Sequence, residues 1–156
     1  MSRTNRNQAK VLEMNQTAMQ QAILVEFAVR EAGPRASIEM MEAICYVIRN
    51  RVRAGWHGGS WLANVEHADE VRTTDRPERV TLDEADRNLQ RLLQRIDDIW
   101  YGTTQEGQND GTLEASIGKA MHWAFLDRPM TGFGRELMSA PQQNPVKCHL
   151  GTMIFF

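Results

Sequence analysis

The sequence predicts an α+β domain, mainly α, that closes on a small antiparallel β-hairpin near the C-terminus. Three observations predict it. Apolar residues recur at helical spacing in 24–31, 38–52 and 82–99. The segment holding Met121, Trp123 and Phe125 alternates instead, as a strand does. A length of 156 residues with 42% apolar content is about one domain, with enough apolar surface to bury a core.

Residues 1–8 are polar and mildly basic and are expected as a disordered tail, which leaves 9–156 as a single domain. From about Ala9 to Ala32 the chain is helix-compatible, with Leu12, Met19, Ala22, Ile23 and Phe27 expected on the buried side. Leu24, Phe27, Ala28 and Glu31 fall at i, i+3, i+4 and i+7, so a carboxylate ends an apolar stripe. Gly33 and Pro34 then stop the helix. The negative end of the helix dipole repels a carboxylate in the last turn, and burial against Phe27 disfavours its charged form. Both effects favour a Glu31 that keeps its proton long enough to act as a general acid. The same residues also read as a solvated glutamate at a frayed helix end.

A second helix follows, capped by Ser37 and carrying Ile38, Met41, Cys45, Ile48 and Val52 on one face. Asn50 and Arg51 near its end either close the helix at the surface or tie down the loop after Glu31. The stretch Gly55-Trp56-His57-Gly58-Gly59-Ser60-Trp61 is too glycine-rich for regular structure. Trp56 and Trp61 there could stack on sugar rings or plug the edge of the core. Residues 62–80 read as a short helix or turn and then an irregular charged loop. His57, His67 and the nearby acids have no metal-ligand spacing, so no metal site is implied.

Thr81 and Glu84 form a capping box that opens the clearest helix, with Leu82, Ala85, Leu89, Leu92, Ile96 and Ile99 on one face and Gly102 at its end. Residues 102–112 read as a loop long enough to form a groove rim. Lys119–Leu126 is read as extended, paired with residues near 148–155 across the loop at 129–145. His122 then faces away from Trp123, either lining a cleft or serving the fold.

These motifs resemble the bacterial cell-wall hydrolase family typified by spore cortex-lytic enzymes. The resemblance lies in Glu31-Ala32-Gly33, Glu39, and the run Ala43, Val47, Ile48, Asn50, Arg51, Val52, with weaker support from Ala120–Trp123 and Leu150–Phe156. Met40 stands where the family has glycine, Met153 replaces a terminal histidine, and the loop after Glu31 is about one residue short. The resemblance implies a lysozyme-like helical domain and a peptidoglycan-cleaving glycosidase, of lytic transglycosylase type, with Glu31 as its catalytic acid. In that reading Glu39, Trp56, Trp61 and His122 contact the glycan strand, Asn50 and Arg51 support the site, and no cofactor is needed. A non-catalytic glycan- or protein-binding module of the same fold, associated with a phage or a secretion system, is the alternative.

Composition narrows the partners. A net charge of −2 argues against a nucleic-acid surface. No apolar run approaches the roughly 20 residues that span a bilayer. The first twenty residues lack the apolar core of a secretory signal. A wall enzyme is therefore expected to be made in the bacterial cytoplasm and to act at the wall or periplasm after export, either by a signal removed from this chain or by a dedicated secretion machine or phage-type holin. Cys45 reads as a small buried hydrophobe; Cys148 has no evident role, and two cysteines give no disulfide code.

Overall fold

The computed structural model describes residues 3–102 and 112–156. Two helices set the frame: α1, Arg3–Ala32, and α2, Ile38–Arg53. The oxygen of Ser37 accepts from the Met40 N–H and caps α2, as its position predicts. Leu24, Phe27 and Ala28 of α1 meet Met41, Ile44, Cys45 and Ile48 of α2 in the main core, all of them buried. The polar start is helical from Arg3 instead of forming a tail. Leu12, Met19 and Ala22 are exposed, against expectation. The buried residues of α1 begin at Gln21, and its Gln- and Asn-rich first half is mostly exposed among the described residues.

The glycine-rich stretch after α2 makes a 3₁₀ turn, Trp56–Gly59, in which His57 takes a left-handed φ of 52°. Helix α3, Trp61–Glu70, is the short helix expected there, and an irregular loop follows it. Thr81 caps α4, Leu82–Leu93, its side-chain oxygen accepting from the Glu84 N–H, which is one half of the expected capping box. The expected single helix through Ile99 is broken. Arg95 pairs with Glu42 of α2 at the break, and a separate helix α5, Ile96–Tyr101, turns Ile96 and Ile99 into the core. The groove rim expected at 102–112 falls almost wholly outside the described residues. Helix α6, Leu113–Ile117, leads on to the sheet.

Three short strands, β1 (Trp123–Phe125), β2 (Cys148–Leu150) and β3 (Met153–Phe155), form an antiparallel sheet in the order β1-β3-β2. Trp123 pairs with Phe155 and Phe125 with Met153, so the extended reading of this segment holds. The sheet has one strand more than a hairpin, because β3 pairs on both edges. Between β1 and β2 lies α7, Gly132–Met138.

Helix α7 locks the irregular loop after α3. The Thr131 hydroxyl accepts from the Gly134 N–H as a helix cap and donates to the Arg72 carbonyl. The Thr131 N–H donates to the Thr73 carbonyl at 2.9 Å, and the Thr73 hydroxyl donates to the Trp123 carbonyl. Gly134 sits so close that a Cβ there would lie 2.0 Å from the Thr73 oxygen. The Gly134→Ala variant is therefore expected to lose about 1–3 kcal/mol of stability, as overpacked sites do. Urea unfolding monitored by circular dichroism checks this, and a loss no greater than that of a surface Gly→Ala control would contradict the tight docking.

Candidate active site

Glu31 ends the apolar stripe of α1, and its side chain is only 3% exposed. Gly33 follows with φ +85°, a left-handed stop that glycine adopts without strain. A Cβ at Gly33 would also lie 2.8 Å from the Cβ of Pro77, so the loop at 75–80 closes directly over the helix end. The last carbonyls of α1 need donors. Arg128, just after β1, supplies them: its Nη1 donates to the Glu31 carbonyl at 2.9 Å and its Nη2 to the Ala32 carbonyl at 2.6 Å.

The carboxylate itself lies between a cation and an indole. Arg72 Nη1 is in ion-pair contact with Oε2, and Trp123 Nε1 donates to Oε1 at 3.4 Å. The Arg72 contact is close but poorly aligned. Neither Oε2 nor any of the three Arg72 nitrogens has a hydrogen-bond partner among the described residues. The Arg72 side chain is 8% exposed. Sequence reasoning missed Arg72, Trp123 and Arg128 as site residues. None stands at a motif spacing, and each is brought to Glu31 by tertiary contacts alone.

A wider charge cluster surrounds the pair. Asp69 meets Arg76 at 2.8 Å, Arg30 at 3.1 Å and Arg72 at 3.6 Å, and Arg30 also pairs with Glu26 at 3.2 Å. Burial alone would raise the Asp69 carboxyl, but hydrogen bonds from Arg76 and Arg30 outweigh it and hold it below its usual range. Two clefts open here. One, of about 520 Å³, includes Glu31, Arg72, Arg76 and Arg79 in its lining, with Val29 and Leu89 as apolar walls. The other, of about 530 Å³, lies across Pro77 and is lined in part by Arg35, Asp127 and Arg128.

The other residues singled out from sequence gather elsewhere. Glu39 is exposed in the first turn of α2, and Trp61 stacks on Trp100 with ring centroids 3.8 Å apart. Trp56 packs on His122, and Arg51 lies between the rings of Trp56 and Trp123. None of Glu39, Trp56, Trp61 or His122 lines either cleft. Asn50 and Arg51 do not bind the loop after Glu31. Asn50 donates to the carbonyls of Gly118 and Ala120, both at 2.9 Å, and Arg51 Nε donates to that of Met121 at 2.8 Å. They fix the approach to β1 and so support Glu31 indirectly, through Trp123. His57 and His67, read as parts of separate loops, have ring centroids 4.4 Å apart.

Comparison with family models, with curated proteins and with solved structures gives no match. Among the described residues no cluster of three metal-binding side chains occurs, and no helix is long and apolar enough to cross a membrane.

Burial, and then the charge of Arg51, push the His122 imidazole down to about 4. Arg51 Nη2 lies 3.4 Å from His122 Nδ1, a contact that only an unprotonated Nδ1 can accept. Above pH 6.5 neither the folded nor the unfolded chain charges this ring. As pH falls from 6.5 toward 4, the unfolded chain takes a proton that the folded chain refuses, and stability is lost across that window. The wild type is therefore expected to lose more unfolding free energy between pH 7 and 4.5 than a His122→Asn variant. Urea titrations of both at the two pH values give the difference, and equal losses would rule out a neutral buried His122.

Proposed function

We propose that the chain is a peptidoglycan-cleaving glycosidase of lytic transglycosylase type, with a lysozyme-like helical domain. The observation that carries this reading is Glu31, a buried carboxylate at a helix end that forms part of the wall of a 520 Å³ cleft. One carboxylate is enough for this chemistry, whereas hydrolysis by the common route needs two at a set separation. The remaining carboxylates that line the cleft, Glu26 and Glu78, are exposed and pair with Arg30 and Arg35.

In the proposed reaction the Glu31 carboxyl gives its proton to the glycosidic oxygen between N-acetylmuramic acid and N-acetylglucosamine. The bond from that oxygen to the anomeric carbon breaks. The Glu31 carboxylate then takes the proton of the muramoyl 6-hydroxyl, whose oxygen bonds to the anomeric carbon and leaves a 1,6-anhydro end. Glu31 finishes protonated, ready for another turnover. Export to the wall, and a phage or secretion-system partner to deliver the protein, belong to the same proposal.

A second reading has an observation of its own. The guanidinium of Arg72 against Glu31 supplies the resting carboxylate with a counter-charge, which suits a binding module as well as an enzyme. Digestion of purified sacculi separates the two. Anhydro-muropeptides detected by mass, reduced about 100-fold or more in Glu31→Gln, are the expected result. Reducing ends in their place would mean hydrolysis, and no release from any sacculus type at micromolar protein would leave the binding module.

A further inference from the structure

We propose that Arg72 is the anion-binding and specificity-determining residue of the cleft, taking a carboxylate of the ligand in exchange for Glu31. The identification of that ligand as an acidic saccharide rests on the glycan reading given above; the role of Arg72 rests on the geometry around it.

A guanidinium carries five N–H donors in a fixed fork that matches a carboxylate edge to edge. Arg72 has such a fork more than nine-tenths buried beside the cleft, with no hydrogen bond satisfied. Its nearest anion, Glu31 Oε2, is in contact but out of line, and Asp69 Oδ1 lies 3.6 Å from the same nitrogen. Buried donors left in this state carry a free-energy penalty that a correctly placed acceptor removes. Its backbone cannot drift to find one, because Thr131 grips the Arg72 carbonyl and the next residue is tied to Trp123 and Thr131. The guanidinium, which makes ion contacts but no hydrogen bond among the described residues, is the part left to exchange partners. The cleft meets it with further positive charge from Arg76 and from the exposed Arg79.

A ligand carboxylate entering the cleft therefore draws the Arg72 fork off Glu31 into two aligned, charge-assisted bonds. Glu31 is then released from its nearest cation. The charged groups around it are Asp69 at the end of α3, Glu26 and Arg30 of α1, Arg76 of the loop over the helix end, and Arg128 after β1. With Arg30 and Arg76 held by Asp69, and Arg128 held on the helix carbonyls, the departing Arg72 has no cationic replacement. An acidic ligand thus gains a binding contact at Arg72 and frees the Glu31 side chain, whereas an uncharged glycan does neither.

Three probes test this by titration calorimetry: N-acetylmuramyl-L-alanyl-D-isoglutamine, which has a peptide carboxylate; trigalacturonate, which has ring carboxylates; and uncharged chitotetraose. The expected result is binding of one carboxylate probe about tenfold tighter than chitotetraose, the tighter of the two naming the source of the carboxylate. Arg72→Gln should abolish that preference. Glu31→Gln should strengthen binding of the carboxylate probe, since the competing anion is gone, and this arm decides the matter if Arg72→Gln fails to fold. In any variant that still cleaves sacculi, loss of Arg72 should move the basic limb of the pH–rate profile upward, because a merely structural residue would not shift it. Equal affinity for all three probes, or an anion preference that survives in Arg72→Gln, overturns the inference. Anion preference without sacculus cleavage leaves Arg72 its role and removes the enzyme; cleavage without preference does the reverse.

Discussion

The buried contact between Glu31 and Arg72 constrains the rest of the molecule. Taking a carboxylate and a guanidinium out of water costs several kcal/mol per ion, and their mutual attraction repays this only in good geometry. Here the geometry is poor on the Arg72 side, so the surroundings carry the burden. Arg128 satisfies the helix carbonyls that would otherwise repel the carboxylate. Trp123 gives one indole N–H to the second carboxylate oxygen. Trp123 and Arg128 link the sheet end to α1, and Thr131 and Thr73 link α7 and the loop after α3 to the same place.

What the sequence makes legible is local. Ser37, the Thr81 cap and the Glu31-to-Pro34 helix end are each written within four residues, and each is found where it was read. The mainly helical class follows from the same periodicity. The rest depends on distance along the chain. Arg128 reaches Glu31 from 97 residues away and Trp123 from 92, and nothing near either residue announces it. Periodicity also misleads in both directions: Leu12 and Met19 keep helical spacing yet lie on a part of α1 beyond the body, while Ile96 and Ile99 keep it across a break. A pattern tells which face is apolar and says nothing about whether another element arrives to cover it.

Gly33 shows how one residue can be read correctly and incompletely. Its place after the last apolar residue marks a helix stop, which it is. Its lack of a side chain also admits Pro77 against the helix end, and that contact sets the loop that divides the two clefts. The tryptophans make the complementary case. Their place in a glycine-rich loop suggests sugar stacking, but Trp61 is stacked on Trp100, and Trp56 has the Arg51 guanidinium over its ring and the His122 ring tilted against it.

A general acid must present its proton to the bond it cleaves, and in the resting structure a guanidinium lies against the Glu31 side chain. Either the contact is permanent, and the chain binds without cleaving, or one partner moves. Glu31 sits on a buried turn of α1 whose carbonyls Arg128 holds. Trp123 is paired to Phe155 and gripped through its carbonyl by Thr73. Arg72 is hydrogen-bonded through its backbone, on an irregular segment, while its guanidinium has ion contacts with Glu31 and Asp69 but no hydrogen bond among the described residues. Of the three side chains that meet at the carboxylate, it is the one with both the freedom and the energetic reason to leave, so whatever chemistry the cleft performs is governed by what can draw that guanidinium away.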